Sequence, residues 1–261
     1  MNLQKLLPKV IVVVKQGGDF IRKEQATFNL DRLEFKGPND LVSYVDREAE
    51  KILVAGLQEL LPKAGFITEE GTVSQDYAPM QWVIDPLDGT TNFVHGIPFF
   101  SVSVALLSEG KPILGVVYEI NRDECFYALK DGKSYCNEKE ISVSSTSTLN
   151  DSIVTSGLPR SHFEKLTNYQ DIMTSLIQQS QGVRRFGSAA ADLAYVACGR
   201  VSCFFEPYLN SYDVAAGALI VQQAGGRVTD FQGGNNYLFG GEIIAANGVH
   251  SGVLEIIRRY W

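Results

Sequence analysis

The stretch Trp82-Val83-Ile84-Asp85-Pro86-Leu87-Asp88-Gly89-Thr90-Thr91-Asn92-Phe93 decides how this chain is interpreted. An apolar run delivers Asp85 to the end of a strand, and we expect Pro86 to stop that strand because proline has no N–H and fixes φ. Asp88-Gly89-Thr90-Thr91 is typical of a turn that enters a helix, where the first backbone N–H groups can bind an anion. Acidic oxygens beside such a helix start predict magnesium-dependent phosphate chemistry.

Three further carboxylates are candidates to meet this pair at one point. Glu69 and Glu70 close the segment that begins at Phe66, and Asp213 precedes the apolar residues of a predicted helix. Each carboxylate also has a simpler explanation: Glu69-Glu70 as an exposed acidic pair, Asp213 as a helix N-cap, and Asp88-Gly89 as a plain turn. An N-cap carboxylate can still present its second oxygen to a metal, so the two explanations of Asp213 are compatible.

The chain resembles the inositol monophosphatase family at five segments that occur in the family's order. Residues Trp82 to Phe93 look like the first signature of the family, and Tyr212-Asp213-Val214-Ala215-Ala216-Gly217 resembles the second, with Tyr212 in place of the usual Trp. Weaker matches lie at Lys36 to Asp46, Phe66 to Glu70, and Arg185 to Glu206. The resemblance covers almost the whole chain and implies an α+β or α/β layered sandwich of αβαβα type. Two N-terminal helices would lie on an antiparallel sheet, followed by a smaller α/β half.

The resemblance implies a set of metal ligands made only of oxygen. Glu69, Asp85 and the backbone carbonyl of Leu87 would hold one Mg²⁺, while Asp85, Asp88 and Asp213 would hold a second, so that Asp85 bridges the two ions. A third, weaker ion near Glu69 is common in the family, which gives two or three Mg²⁺ per subunit. Oxygen ligands are those that a hard cation prefers.

The resemblance also implies catalytic residues near these ligands. Glu69 and Thr90 would orient the attacking water, and Asp46 would accept a hydrogen bond from Thr90 as part of a relay. The backbone N–H groups of Gly89 and Thr90 would hold the phosphate at the helix start. Lys36 would lie near the metal and phosphate charges.

Substrate selection is expected in the second half of the chain, where Glu206 matches a family carboxylate that accepts hydrogen bonds from polyol hydroxyls. One segment is expected to line the same pocket: Gly187, Ser188 and Ala189. For the preceding pair Arg184-Arg185 three interpretations stay open, namely substrate contact, contact with a partner subunit, or a solvated strand edge. We leave the segment 157–160 outside the predicted site because its match to the family is poor.

Length and composition bound the architecture. A chain of 261 residues with 45% hydrophobic residues forms one large domain or two packed halves. The Ser- and Thr-rich stretch Ser142 to Asn150 predicts the crossing between halves. We expect residues 1–147 to form an α+β half with most metal ligands, and residues 148–261 an α/β half with Asp213 and the substrate residues.

Charge, cysteines and apolar runs narrow the location and partners. No apolar run reaches membrane length and we recognise no signal peptide, so we expect a cytoplasmic protein whose four cysteines are free thiols. A net charge of −7 argues against broad nucleic-acid binding, but not against a small anionic substrate, because bound cations can invert the local field. The expected partner is a small phosphate ester, with a homodimer implied by the resemblance.

Periodicity predicts the order of elements. Residues 1–23 show helical spacing, and Gly17-Gly18 is expected to loosen the end of that helix or to begin a second short piece. A second helix is predicted from Ser43 to Leu61, and an antiparallel meander from Phe66 to about Val143. Strands then alternate with helices, including one predicted from Asp213 to Ala224 and a closing helix from His250 to Arg259.

Three functional hypotheses follow. The first is a Mg²⁺-dependent, lithium-sensitive phosphate monoester hydrolase that acts on inositol monophosphate or related small polyol and sugar phosphates by metal-activated water. The second keeps this chemistry but changes the substrate to fructose 1,6-bisphosphate, 3′-phosphoadenosine 5′-phosphate or NADP. The third is a regulatory protein that binds RNA or the transcription machinery, with phosphatase activity secondary.

Overall fold

The structure, a computed structural model, describes residues 1–28, 33–37, 40–75, 77–159 and 163–261; of residues 33–37 and 40–43 it describes the backbone only. Within these ranges, the segments with helical and strand periodicity form seven α-helices and fourteen strands. The helices are α1 (Leu3–Gln25), α2 (Tyr44–Leu60), α3 (Thr90–Val94), α4 (Leu166–Gln179), α5 (Ala189–Ala197), α6 (Ser211–Gln223) and α7 (His250–Tyr260).

The strands form a hairpin and two larger sheets. The hairpin pairs β1 (Leu33–Gly37) with β2 (Asp40–Ser43). The seven-stranded sheet keeps chain order: β3 (Gly65–Thr68), β4 (Met80–Asp88), β5 (Ser101–Ser108), β6 (Lys111–Glu119), β7 (Glu124–Leu129), β8 (Ser134–Cys136) and β9 (Lys139–Ile141). The five-stranded sheet has the order β11-β10-β12-β14-β13, from β10 (Ile153–Ser156), β11 (Gly182–Arg184), β12 (Cys203–Pro207), β13 (Arg227–Thr229) and β14 (Glu242–Ala246).

Pairing directions follow from the connections. Short turns join neighbouring strands from β5 to β9, and residues 89–100, which include α3, join β4 to β5; all these neighbours pair antiparallel, as in the predicted meander. The prediction that the meander begins at Phe66 is wrong. β3 instead pairs parallel with β4, which brings the last residues of both strands to one edge of the sheet. The second sheet is mixed, since β10 runs parallel to β11 and β12 while β14 runs antiparallel to β12 and β13.

Three apolar clusters hold five layers together. α1 and α2 cover one face of the seven-stranded sheet, to which β4 contributes Trp82 and Ile84. The opposite face of β4 presents Val83 to a second cluster, which α5 and α6 fill between the two sheets. α4 and α7 cover the outer face of the five-stranded sheet in a third cluster. The predicted αβαβα sandwich is confirmed.

The prediction that Gly17-Gly18 loosens the end of the first helix or belongs to a second short piece is wrong. α1 continues through both glycines to Gln25. A Cβ atom at Gly18 would lie 2.5 Å from a ring atom of Tyr118, and one at Gly17 would lie 3.0 Å from the Leu53 side chain. The glycines therefore let α1 approach the sheet and α2 closely, which offsets their low helix propensity.

Other sequence expectations have simple structural counterparts. The predicted boundary after residue 147 falls in the coil between β9 and a 3₁₀ turn at Leu149–Asp151. Because α6 packs on strands of the first sheet, the two parts share a core, and their treatment as separate halves stays a prediction.

None of the helices in the described ranges has the length and apolarity that a bilayer crossing requires. All four cysteines are free thiols.

Candidate active site

Parallel pairing of β3 with β4 brings Glu69 beside Asp85. Thr68 pairs with Ile84 in the register of the two strands, and the N–H of Glu69 donates to the carbonyl of Ile84 at 3.2 Å. Glu69 and Asp85 are the next residue of each strand, so both lie at the same edge of the sheet. Asp85 is buried, and Glu69 is half-buried.

A bulge in β4 turns Asp85 and Asp88 toward one site. Asp85 pairs with Ser103 and Asp88 with Ser101, so two residues of β4 lie opposite one residue of β5. Pro86 lies in this bulge and does not stop the strand, contrary to the sequence prediction, because a bulge tolerates the missing N–H. The Asp85 Oδ1 atom accepts a hydrogen bond from the N–H of Leu87 at 3.0 Å.

Asp213 lies in the first turn of α6. The helix begins at Ser211, two residues before the predicted start, and Asn210 is the N-cap in place of Asp213. The Oδ2 atom of Asp213 accepts a hydrogen bond from the Asn210 N–H at 2.6 Å, which completes a capping box. The box fixes Asp213 on the helix end that faces Asp85 and Asp88.

Asp85, Asp88 and Asp213 form an acidic cluster. One carboxylate oxygen of each lies within 4.8 Å of the others. Burial raises the pKa of Asp85 well above its usual value, and the nearby carboxylates of Glu69, Asp88 and Asp213 raise that pKa further. Such a cluster repels itself, and a divalent cation with a preference for oxygen ligands would remove the repulsion.

Asp88 is held in the cluster by α5. Its Oδ2 atom accepts hydrogen bonds from the Ser188 hydroxyl at 2.7 Å and from the Ala190 N–H at 2.6 Å. The Ser188 hydroxyl also lies 3.0 Å from the Ser101 hydroxyl, and it caps α5 by accepting from the Ala191 N–H. Ser188, predicted as a pocket-lining residue, thus also orients Asp88.

Thr90 connects the cluster to α2. Its hydroxyl lies 3.0 Å from Asp46 Oδ1 and 3.1 Å from the Leu87 carbonyl, and a hydroxyl can donate to only one of them at a time. Asp46 is 1% exposed, and the structure contains the Thr90–Asp46 hydrogen bond that was predicted. The role of this pair as a relay stays a prediction.

These groups surround one cleft with a volume of about 340 Å³. It is lined by all but two of the predicted site residues: Glu69, Asp85, Leu87, Asp88, Gly89, Thr90, Gly187, Ser188, Ala189, Glu206 and Asp213. Asp46 lies behind Thr90, and the side chain of Lys36 is outside the described residues. Both arginines of the pair are exposed, and Arg185 lines the cleft whereas Arg184 does not.

Comparison with known proteins agrees with this geometry, since the family model described as "Inositol monophosphatase family" matches residues 2–261. The chain belongs to the inositol monophosphatase family. It is 39% identical over 250 residues to the inositol-1-monophosphatase of Mesorhizobium japonicum, covering 95% of this chain and 94% of that protein. It is also 39% identical over 246 residues to the Nus factor SuhB of Escherichia coli K12, covering 94% and 92%.

Solved structures give the same result. The extragenic suppressor protein suhB of Bartonella henselae superposes with a TM-score of 0.92 at 37% identity, covering 98% of this chain and 99% of that one. The IMPase of Thermotoga maritima superposes with a TM-score of 0.87 at 31% identity, covering 96% and 95%. Membership of the inositol monophosphatase family implies a phosphatase.

Gly157 is a member of the site that the sequence analysis left out. A Cβ atom at Gly157 would lie 1.8 Å from Glu206 Oε1, so the Glu206 carboxylate packs directly on the Gly157 backbone. The contact follows from the parallel pairing of β10 with β12, which ends both strands at the cleft. Gly157 and Glu206 are 49 residues apart in the sequence, so the requirement for glycine is visible only in the three-dimensional structure.

Asp192 is a second residue that the sequence analysis missed. It lines the cleft from α5, is 2% exposed, and its Oδ1 atom has no hydrogen-bond partner among the described residues. Burial raises the pKa of Asp192 well above its usual value, and the nearby carboxylates of Glu206 and Asp88 raise it further. A hydrogen bond from Thr155 lowers this pKa, but by less than burial raises it. The apolar surroundings of Asp192 in the sequence gave no signal for this position.

Proposed function

We propose that this chain is a Mg²⁺-dependent hydrolase of phosphate monoesters that acts on inositol monophosphate or a related small polyol phosphate. The observation that carries the proposal is the convergence of Asp85, Asp88 and Asp213, with oxygens within 4.8 Å, in the cleft that also contains Thr90 and Glu206. A cluster of carboxylates that can bind metal ions supports phosphate chemistry, and the carboxylate of Glu206 supports a substrate with several hydroxyls.

The donor set fits Mg²⁺, because it consists of oxygen atoms only and its repulsion already acts on the buried Asp85. In the proposal Glu69, Asp85 and the Leu87 carbonyl hold one ion, and Asp85, Asp88 and Asp213 hold another. Bound Mg²⁺ supplies positive charge that neutralises the phosphate and lowers the pKa of water. The remaining roles belong to groups of the chain.

Thr90 and Glu69 orient the attacking water in this proposal. Donation of the Thr90 hydrogen to Asp46 leaves the lone pairs of Thr90 Oγ1 directed at the cleft, where they accept a hydrogen bond from water. Glu69, at the same edge of the sheet as Asp85, accepts the other hydrogen and takes that proton as the water oxygen bonds to phosphorus. The ester P–O bond breaks in the same displacement, and the leaving alcohol oxygen takes up a proton from solvent water. The backbone N–H groups of Gly89 and Thr90 donate to the phosphate oxygens.

Glu206 selects the alcohol part of the substrate. Its carboxylate, held against Gly157, accepts hydrogen bonds from hydroxyls of a polyol. The carboxylate of Glu206 in this wall of the cleft disfavours a second phosphate there, which supports a monophosphate over fructose 1,6-bisphosphate. Gly187 and Ala189 complete the wall without side chains that fill it.

The test is an assay of released phosphate over a substrate panel with Mg²⁺ or with EDTA. The panel contains inositol 1-phosphate, fructose 1,6-bisphosphate, 3′-phosphoadenosine 5′-phosphate and NADP. We expect the highest kcat/KM for inositol 1-phosphate, no turnover in EDTA, and inhibition by Li⁺. Turnover that persists in EDTA would contradict the metal mechanism, and a preference for another substrate would replace only the substrate assignment.

A second candidate function is regulation through the transcription machinery. It is favoured by the 39% identity, over 94% of this chain, to proteins called Nus factor SuhB. The net charge of −7 supports a protein partner over direct contact with nucleic acid. If this function operates without catalysis, the Asp88→Asn variant should capture RNA polymerase from an extract of the source organism as well as wild type does. Failure of the wild-type protein to capture RNA polymerase would exclude this candidate.

A further inference from the structure

Helix α2 presents two buried carboxylates on one face. Asp46 and Glu50 are four residues apart, so their side chains lie one above the other along the helix. Asp46 accepts the hydrogen bond of Thr90, as described above. Glu50 is not among the residues that line the cleft, and the proposed function assigns it no role.

Glu50 binds a single loop through three hydrogen bonds. Its Oε2 atom accepts from the N–H of Glu70 at 2.7 Å, and its Oε1 atom accepts from the N–H of Thr72 at 2.7 Å and from the Thr72 hydroxyl at 2.8 Å. Glu50 is 0% exposed. A carboxylate withdrawn from water in this way is stable only when such donors replace its hydration.

The three donors follow directly after Glu69. The N–H of Glu69 is fixed by the Ile84 carbonyl, and the next N–H along the chain is fixed by Glu50. The backbone of Glu69 is therefore held on both sides, by a strand neighbour and by a buried carboxylate. Glu50 is thus one of the groups that attach the loop after β3, and it does so at the residue next to Glu69; Gln75 Nε2 of the same loop also donates to the Thr68 carbonyl, at 3.0 Å.

We propose that Glu50 is a positioning residue that fixes Glu69 for metal binding. The inference rests on the proposed function, because it assigns Glu69 to a metal. Since Asp46 and Glu50 belong to the same helix, α2 sets the separation of Thr90 and Glu69, the two groups that orient the water. One rigid element thus adjusts both sides of the reacting centre.

Two substitutions test this role, with one matched control. Glu50→Gln keeps the size of the side chain but turns an NH₂ group toward N–H donors, so at least one of the three hydrogen bonds is lost. Thr72→Val removes only the hydroxyl contact. Glu59→Gln makes the same chemical change at an exposed position of α2. All are made in the full-length protein.

Three measurements separate positioning from a purely structural role. Calorimetric titration with Mg²⁺ gives the affinity for the ion, and hydrogen exchange in EDTA gives the protection of the Glu70 and Thr72 amides. The rate of inositol 1-phosphate hydrolysis, measured at increasing Mg²⁺, separates the Mg²⁺ concentration at half-maximal rate from the maximal rate. For Glu50→Gln we expect roughly 10- to 100-fold weaker Mg²⁺ binding, faster exchange of both amides, and a maximal rate that recovers most of its value at saturating Mg²⁺.

Thr72→Val should shift Mg²⁺ affinity in the same direction by a smaller factor, and Glu59→Gln should leave it unchanged. If Glu50→Gln fails to fold, the shift in Thr72→Val decides. A lowered melting temperature with unchanged Mg²⁺ affinity in both variants would overturn the inference and leave Glu50 a structural residue. Absence of Mg²⁺ binding by wild type would instead overturn the proposed function, and the inference with it.

Discussion

At the residue scale, Asp88 joins two parts of the molecule. One of its oxygens accepts hydrogen bonds from Ser188 and Ala190 at the start of α5, while its carboxylate also belongs to the cluster with Asp85 and Asp213. A single side chain therefore couples the position of α5 to the acidic cluster. Its replacement tests whether the cluster carries the chemistry.

Asp88→Asn should lower turnover by at least about a hundredfold at saturating Mg²⁺, because an amide is a poorer ligand for a hard cation. Folding should survive, since one of several mutually repelling charges is removed. Ser188→Ala, which removes only a donor to Asp88, should cost about tenfold. The measurement is phosphate release beside a thermal melt, and wild-type turnover in Asp88→Asn would refute the assignment of this residue.

Gly157→Ala should act through Glu206, because the new Cβ would displace the carboxylate that lies on this backbone. We expect it to reproduce Glu206→Ala: a higher KM for inositol 1-phosphate and a ten- to hundredfold loss of kcat/KM, equivalent to about 1.5–3 kcal/mol for a hydrogen bond to a charged group. Hydrolysis of a simple aryl phosphate should change little. Equal losses on both substrates would indicate a structural role for both residues.

At the element scale, the approximate positions of the strands were predictable, and their exact ends and pairings were not. The apolar run before Asp85 indicates where β4 places its carboxylates. The parallel pairing with β3, which brings Glu69 beside Asp85, was not predicted, because the sequence pattern favoured an antiparallel meander from Phe66. The bulge at Pro86 was not predictable, because it depends on the pairing of β4 with β5. The continuity of α1 through Gly17-Gly18 depends on Tyr118 and Leu53, which lie far away in sequence.

The start of α7 carries a buried histidine that makes stability depend on pH. His250 is 2% exposed, its Nε2 atom lies 3.0 Å from the Thr229 hydroxyl, and its Nδ1 atom has no hydrogen-bond partner among the described residues. Burial, assisted by the charge of Arg227, lowers the pKa of His250 from 6.5 to about 4. The unfolded chain therefore binds this proton at a higher pH than the folded chain does.

The contribution of His250 to stability is full above about pH 6.5 and is lost as the pH falls toward about 4. His250→Gln, whose amide reaches Thr229, should lose less stability than wild type between pH 7.5 and pH 5, measured as the midpoint of urea unfolding. Asp85 and Asp192, with raised pKa values, act in the opposite direction, so the difference between variant and wild type is the quantity to compare. Parallel pH profiles would contradict the effect.

At the scale of the whole molecule, the layers assemble the site. The seven-stranded sheet supplies Glu69, Asp85 and Asp88, α6 supplies Asp213 from between the sheets, and the five-stranded sheet supplies Glu206. The motifs identified these residues, but only the layered packing of α5 and α6 explains why they meet. The division into residues 1–147 and 148–261, the homodimer and the cytoplasmic location stay predictions.

The central claim is that these carboxylates converge to bind cations, and a thermal melt tests it most directly. A metal that binds only the folded state stabilises it by about 2.7 kcal/mol at a hundredfold excess over Kd, which corresponds to roughly 5 °C or more here. Mg²⁺ should raise the melting temperature relative to EDTA, phosphate added with Mg²⁺ should raise it further, and Ca²⁺ should stabilise without supporting turnover.

Asp85→Asn is the decisive variant in this melt, because Asp85 is buried among the other carboxylates and the proposed function assigns it to both ions. We predict that it melts above wild type in EDTA, since repulsion is relieved, and that it responds weakly to Mg²⁺. A wild-type melting temperature that is the same in EDTA, in Mg²⁺, and in Mg²⁺ with phosphate would show that the carboxylates bind no cation, and would contradict the account.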